Sequence, residues 1–239
     1  MADDLSRIMM TRRPTADRPL LGLTVLVVED SRFACEALRL MCLRSGARIR
    51  RADCLASARR HLTLYMPTVV IVDFGLPDGT GTDLIGELAL AEPRVPVLLG
   101  SSGDMAAEKP ILTAGADGFL AKPVASVAAF QQAILAHLPA ELRSFGPRPI
   151  PIDQVVPDRL ALKDDLKHAA RVLSGSKDNR TVKYVAQFLS SLATSSGDDG
   201  LARAATRFAA ARPGSRETTR AISEINSMVV ARQPGGPVF

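Results

Sequence analysis

Two hydrophobic patterns alternate along residues 23–138. Short apolar runs are typical of strands buried on both faces of a parallel sheet, and they predict strands at residues 23–29, 68–73, 95–100 and 118–121. A short second strand is predicted at residues 47–52. Apolar residues at helical spacing predict helices that begin after Ser31 and at residues 55–65, 83–91, 104–114 and 125–138. These β/α repeats predict an α/β fold in which a doubly wound parallel sheet carries helices on both faces.

The pattern changes after a proline-rich segment at residues 146–151. Beyond it the strand signals stop, and apolar residues recur at helical spacing in four stripes. The stripes are Leu162, Leu166, Ala169 and Leu173; Val182, Val185, Leu189 and Leu192; Leu201, Ala205 and Phe208; and Ile222, Ile225 and Val229. We therefore predict a flexible leader at 1–20, an α/β domain at 21–140, a Pro-rich linker at 141–153, a small all-α region at 154–232 and a flexible tail at 233–239.

Composition narrows the class of protein. Hydrophobic residues make up 46% of the 239 positions, which is ample for packed cores. No apolar run approaches the roughly 20 residues that a membrane-spanning helix needs. The three cysteines, Cys35, Cys42 and Cys54, lack metal-binding spacing, so we expect reduced core residues. With no signal-peptide pattern in the leader, these features predict a cytoplasmic protein without membrane contact.

The net charge of +5 is unevenly distributed. Residues 21–150 carry 13 basic and 13 acidic residues, whereas residues 151–239 carry 13 basic and 9 acidic ones. This excess permits an acidic partner, and Arg203, Arg207 and Arg220 lie on predicted helices. Charged helix faces more often face solvent than bind a partner. The sequence also shows no helix-turn-helix motif and no signature of a cyclase, phosphodiesterase or ATPase output domain. Nucleic-acid binding is therefore an alternative and not the main prediction.

Charged and hydroxyl residues close four of the predicted strands. Glu29 and Asp30 close the first strand, Asp73 the third, Ser101 the fourth and Lys122 the fifth. Because the carboxyl ends of parallel strands lie along one edge of the sheet, we expect these five side chains to meet there. Three carboxylates, one hydroxyl and one ammonium form a set that can bind a divalent cation and accept a phosphoryl group.

The acidic residues predict a magnesium site at this edge. Mg²⁺ is a hard cation that prefers oxygen ligands and bridges to phosphate oxygens. Glu29, Asp30 and Asp73 are the expected carboxylate ligands, and the carbonyl of Gly75 is expected to complete the set. The cation would make the clustered carboxylates tolerable and offset charge on the transferred group.

Asp73 is the expected nucleophile, because Pro77 and two glycines just after it shape an open loop. Lys122 is expected to pair first with the free carboxylate and later with phosphate oxygens. Ser101 is expected to donate a hydrogen bond to a phosphoryl oxygen, with the neighbouring Ser102 as a competitor for that role.

In their order and spacing, these residues resemble the receiver domain of two-component response regulators. The resemblance covers about residues 23–138 and rests on Glu29/Asp30, Asp73, Pro77, Gly81, Ser101, Phe119 and Lys122-Pro123. Any one of these elements is weak by itself, but the ordered set is specific. It implies a flavodoxin-like five-stranded sheet of order 2-1-3-4-5, so that residues 21–140 are a receiver domain and residues 154–232 an output or interaction region.

The resemblance also implies a function. Asp73 would accept a phosphoryl group from a sensor histidine kinase or a histidine phosphotransfer protein, and the only catalysis would be of its own phosphorylation and dephosphorylation. Ser101 would then move toward the phosphoryl group while Phe119 turns inward as the switch residue. Gly100 stands where a larger apolar residue is more usual, which we expect to loosen the loop that carries Ser101.

The C-terminal region leaves alternatives open. His168 precedes a basic residue, Arg171, at the spacing of a histidine phosphotransfer domain, but Val172 stands where that family has glycine. We therefore favour an ordinary helix histidine. The main prediction is a helical surface that responds to phosphorylation of Asp73. The alternatives are a homodimer through these helices, a DNA-binding transcriptional regulator, and a phosphorelay intermediate or scaffold without an output of its own.

Overall fold

The computed structural model describes residues 13–143, 155, 157–175, 178–211 and 215–231. Most of the predicted leader and linker, and the predicted tail, lie outside these residues. The chain divides into two compact units, one within Met1–Asp30 and Ala37–Val156 and the other within Ser31–Glu36 and Pro157–Phe239. Among the described residues, no helix combines the length and apolarity needed to cross a membrane.

Among the described residues, five parallel strands form the sheet of the first unit: β1 (Thr24–Val28), β2 (Arg48–Ala52), β3 (Val69–Asp73), β6 (Val97–Ser102) and β7 (Gly118–Ala121). Their order across the sheet is β2-β1-β3-β6-β7. A short hairpin, β4 (Gly75–Leu76) with β5 (Gly79–Thr80), follows β3. The helices in this part of the chain are α1 (Arg32–Ser45), α2 (Leu55–Leu64), α3 (Gly81–Ala89), α4 (Glu108–Thr113) and α5 (Val127–His137). The predicted doubly wound α/β fold is confirmed, as is its order when the five main strands are counted along the chain.

The fourth main strand differs from its prediction. β6 pairs with β3 as far as Ser101 and with β7 as far as Ser102, so it ends two residues later than residue 100. Ser101 therefore lies within a strand and not in a loop. After it, a 3-10 turn at Met105–Ala107 leads into α4, where Pro110 lies in the first turn and its missing amide costs no helical hydrogen bond.

The strands differ in how they face solvent. β1 and β3 lie inside the sheet, and their Val, Leu and Ile side chains are buried, as the continuous apolar runs predict. β2 lies at one edge of the sheet and exposes Arg48, Arg50 and Arg51. A buried core and a charged edge thus belong to the same sheet.

The described residues of the second unit after Pro157 form four helices: α6 (Arg159–Gly175), α7 (Asn179–Ser196), α8 (Asp199–Ala210) and α9 (Arg216–Ala231). The first three predicted stripes form their shared core, except that Leu162 is only partly buried. Ile225 of the fourth stripe is also buried, while the side chains of Ile222 and Val229 lie outside the described residues. Phe33, from the segment Ser31–Glu36, belongs to the same core.

A buried carboxylate, Asp165, organises the start of α1 within this second unit. It accepts hydrogen bonds from the Ser31 hydroxyl at 2.8 Å and from the amides of Arg32 and Phe33, both at 2.9 Å. Burial raises the pKa of Asp165 above its ordinary value, although these three hydrogen bonds oppose the shift. Sequence reasoning missed this residue, because its partners lie more than 130 positions earlier in the chain.

Candidate functional site

Three of the predicted site residues meet at the carboxyl ends of the strands. Glu29 directly follows β1, Asp73 is the last residue of β3, and Lys122 directly follows β7. Their exposed fractions are 3%, 6% and 8%. The Lys122 ammonium donates hydrogen bonds to Glu29 Oε2 and Asp73 Oδ1. The strand order therefore brings together groups that lie up to 93 positions apart in the sequence.

The charges of this cluster compensate one another. Burial by itself would lower the pKa of Lys122, because it disfavours the charged ammonium. The negative charges of Asp73 and Glu29 and their hydrogen bonds outweigh burial, so the pKa of Lys122 lies above its ordinary value. The ammonium is therefore held in its charged form between two carboxylates.

The backbone around Asp73 is held closely. Asp73 Oδ2 accepts a hydrogen bond from the Gly75 amide at 3.0 Å, and the next residue, Phe74, donates its amide to the Ser101 carbonyl at 2.9 Å. A Cβ at Gly81 would lie only 2.0 Å from the Asp73 carbonyl oxygen. Glycine is required at that position, since the first turn of α3 approaches the end of β3 directly.

The acidic residues fit a hard divalent cation. Carboxylate oxygens of Glu29, Asp30 and Asp73 lie within 4.8 Å of one another, and Asp30 is partly exposed. A group of oxygen donors with one open side suits a cation such as Mg²⁺, which retains several waters. Gly75 lies next to this cluster through its amide, while the metal-binding role of its carbonyl stays a prediction.

Ser101 lies beside Asp73 in the sheet register but does not point its hydroxyl at that carboxylate. Its Oγ donates a hydrogen bond to the Leu120 carbonyl on β7 at 2.9 Å. Ser102, the competing serine, accepts a hydrogen bond from the Asp104 amide at 3.0 Å. To reach a phosphoryl group on Asp73, the Ser101 hydroxyl would have to leave the Leu120 carbonyl. The hydrogen bond to Leu120 is thus the state from which the predicted movement of Ser101 would begin.

Phe119 pairs with Gly100 across β6 and β7, and its ring is partly buried against the core cluster that contains Ile111. A Cβ at Gly100 would lie 2.2 Å from Ile111 Cγ2. The glycine that we expected to loosen a loop instead lies inside a strand, where it lets α4 pack directly on the sheet. The expectation of a loosened loop was wrong.

His168 has the surroundings of a structural residue. It is partly buried on α6, and its ring meets that of Phe188 edge-on with centroids 5.8 Å apart. Burial and the nearby charge of Arg171 lower its pKa below the ordinary value. The packing favours the ordinary helix histidine over a phosphotransfer residue.

The first unit also matches known proteins in sequence. Residues 25–134 match the family model of the response regulator receiver domain. Over 114 residues the chain is 32% identical to the virulence transcriptional regulatory protein PhoP of Salmonella typhimurium and to the transcriptional regulatory protein PhoP of Escherichia coli. These alignments cover 46% of this chain and 51% of each relative, so the chain spans about half the length of the curated relatives it matches.

Solved structures give similar matches. The chemotaxis response regulator CheY4 of Vibrio cholerae shares 19% identity, with a TM-score of 0.44 over 48% of this chain and 98% of that one. The receiver domain of a histidine kinase from Syntrophus aciditrophicus shares 24% identity, with a TM-score of 0.44 over 48% and 89%. The family match and the sheet order described above agree: residues 25–134 match the response regulator receiver domain, and a helical region follows them.

Proposed function

We propose that this chain is a response regulator that accepts a phosphoryl group on Asp73. The donor would be a phosphohistidine of a sensor histidine kinase or of a histidine phosphotransfer protein. The observation that carries the proposal is the pairing of a nearly buried Asp73 carboxylate with the Lys122 ammonium, next to Glu29 and Asp30. This arrangement combines a nucleophile, a countercharge and a group of cation ligands at one sheet edge.

The residues have distinct roles in the proposed transfer. A carboxylate oxygen of Asp73 forms a bond to phosphorus while the bond from phosphorus to the donor imidazole nitrogen breaks, and that imidazole leaves with a proton from solvent. Lys122 moves its hydrogen bond from Asp73 to a phosphoryl oxygen, where its charge offsets the negative charge. Mg²⁺ held by Glu29, Asp30, Asp73 and the Gly75 carbonyl would neutralise further charge on the same group.

The response would begin at Ser101. Its hydroxyl leaves the Leu120 carbonyl and donates to the phosphoryl group instead, so a neutral hydrogen bond is exchanged for a charge-assisted one. Phe119 lies on β7 beside Leu120, and we propose that it turns inward as Ser101 moves. The phosphoryl group then biases two states of the receiver, and the C-terminal helices respond to that bias.

DNA binding is the second candidate, because the PhoP relatives are named as transcriptional regulators. Of the three arginines considered for this role, Arg207 forms an ion pair with Glu224, which reduces its availability to phosphates. Binding by these helices would give an affinity for DNA that falls steeply with salt and is lost on truncation after Pro151. Fast reverse transfer to a histidine partner would instead indicate a phosphorelay intermediate.

The proposal is tested by labelling with a small phosphodonor. The protein is incubated with Mg²⁺ and acetyl phosphate, and intact mass and oligomeric size are recorded together. We expect one added phosphoryl group, its loss in Asp73→Asn, and normal labelling in Asp104→Asn, which changes an exposed carboxylate. A size change on labelling would indicate a phosphorylation-dependent homodimer. Labelling of Asp73→Asn at the wild-type level would show that the acceptor is another residue.

A further inference from the structure

Asp78 connects the segment after the proposed phosphoacceptor to a helix that comes earlier in the chain. It lies between β4 and β5, five positions after Asp73. One carboxylate oxygen accepts the Leu55 amide at 2.8 Å, and the other accepts the Ala56 amide at 2.9 Å. These are amides of the first turn of α2, which have no partner within their own helix.

The cap that α2 carries in its own sequence is weak. Cys54 Sγ accepts the Ser57 amide at 3.4 Å, and thiols are poor acceptors compared with hydroxyls or carboxylates. Asp78 therefore supplies the stronger acceptors for this helix end. Burial opposes its ionised form, but the hydrogen bonds from Ala56 and Leu55 outweigh that effect and lower the pKa of Asp78. At neutral pH the bonds are charge-assisted.

The hairpin of residues 75–80, which we call the acceptor hairpin, is thereby fixed at both ends. At its base, the Gly75 amide donates to Asp73 Oδ2 and Gly75 pairs with Thr80. At its tip, a Cβ on Gly79 would lie 2.6 Å from Leu55 Cδ1, so the backbone packs directly on the first residue of α2. Asp78 and Gly79 together hold this tip against the helix.

We infer that Asp78 is a positioning residue for the phosphoacceptor site, an inference that rests on the proposed function of Asp73. By attaching the acceptor hairpin to α2, it fixes where the Gly75 amide and carbonyl lie relative to Asp73. The amide orients the nucleophile, and the carbonyl is the proposed backbone ligand of the cation. Asp78 itself lies outside the set of residues that would touch the cation or the phosphoryl group.

The test must separate positioning from simple helix capping, and Cys54 makes this possible. Asp78→Ala removes the cap of α2 and the connection to the acceptor hairpin at the same time. In the double variant Cys54→Ser/Asp78→Ala, the serine hydroxyl gives α2 a stronger cap of its own, because serine is among the preferred N-cap residues. The connection to the acceptor hairpin stays broken. Asp178→Ala, which removes the cap of α7 in the second unit, is the matched control.

Magnesium affinity, measured by titration calorimetry, is the main readout. We expect Asp78→Ala to weaken Mg²⁺ binding about tenfold, as the loss of other outer contacts of metal sites does. The acetyl phosphate labelling rate should recover substantially at saturating Mg²⁺. The double variant should regain thermal stability without regaining Mg²⁺ affinity, and Asp178→Ala should bind Mg²⁺ as the wild type does. Wild-type affinity in Asp78→Ala, or full recovery in the double variant, would overturn the inference.

Hydrogen exchange at the Gly75 amide provides a readout that needs neither metal nor phosphodonor. Exchange should be faster in Asp78→Ala and should stay fast in the double variant. Unchanged exchange would show that Asp78 does not fix the hairpin. A wild-type protein that neither binds Mg²⁺ nor labels would instead overturn the proposed function, and with it the positioning role, even if the exchange result holds.

Discussion

Each unit of the molecule buries a carboxylate, and the two are held in different ways. Asp73 in the first unit is 6% exposed and pairs with the ammonium of Lys122. Asp165 in the second unit is 2% exposed and is held by two backbone amides and the Ser31 hydroxyl. An ammonium on a flexible stem can follow charge to a new position, whereas amides in a helix turn cannot. The comparison therefore supports the proposed acceptor role of Asp73 and indicates a structural role for Asp165.

The largest predicted effect comes from removing the movable countercharge. Lys122→Met leaves Glu29 and Asp73 buried without their cation, and we expect it to lower the free energy of unfolding by about 3–5 kcal/mol. Urea unfolding measures the loss, and added Mg²⁺ should restore part of it. Lys109→Met, which removes an exposed lysine on α4, is the control. Equal stability of the two variants would contradict the role of Lys122 as the buried countercharge.

The second prediction concerns packing in the first unit and uses substitutions that change no charge, in contrast with Lys122→Met. Gly100→Ala places a methyl group only 2.2 Å from Ile111 Cγ2, and we expect overpacking to lower the free energy of unfolding by about 3 kcal/mol. Ile111→Ala removes the clashing atom, so the double variant should be more stable than the sum of the two single losses predicts. Urea unfolding of all four proteins measures this coupling. Strict additivity would show that the two positions do not share the space.

The second unit provides the contrasting charge substitution. Asp165→Ala leaves the Arg32 and Phe33 amides without their acceptor, at a cost of about 2 kcal/mol. Asp165→Asn should cost less, because its amide oxygen still accepts. Asp164→Ala, next in sequence, removes only an exposed ion pair with Arg32 and should cost less than about 1 kcal/mol. Hydrogen exchange at the Leu189 amide measures the free energy of unfolding of this unit. If all three variants lost a similar amount, the hydrogen bonds to Asp165 would not stabilise the unit as described, and the contrast with Asp73 would be wrong.

The smallest predicted effect is a pH dependence at His168. Burial and Arg171 place its folded-state pKa below the ordinary 6.5. As pH falls below 6.5, the unfolded chain takes up a proton before the folded one does, so stability of the second unit declines; above 6.5 it stays level. We expect this decline in the free energy of unfolding to be less than about 1 kcal/mol. The decline should be absent in His168→Gln and smaller in Arg171→Gln. Urea unfolding at a series of pH values measures it. A wild-type profile as flat as that of His168→Gln would contradict this assignment.

Local patterns predicted the elements of the fold and the meeting of its charged strand ends. The apolar runs and the charged or hydroxyl residues at four of the strand ends are short-range signals, and parallel pairing brings these ends together. Asp78 and Asp165 escaped prediction because an aspartate in a turn or helix does not reveal an amide 22 or 133 positions away. The packing of Ile111 on Gly100 and the hydrogen bond of Ser101 to Leu120 depend on side-chain directions that periodicity leaves open.

The arginines of β2 have a consequence for how copies of this protein meet. An edge strand offers backbone amides and carbonyls that can template another strand, which is a common route to aggregation. Arg48, Arg50 and Arg51 are exposed along that edge, so a second copy approaching edge to edge would bring like charges together. These arginines make β2 an unusually charged strand, and their charge keeps the sheet from extending into a neighbouring molecule. Because salt screens this repulsion, the protection weakens as the ionic strength rises.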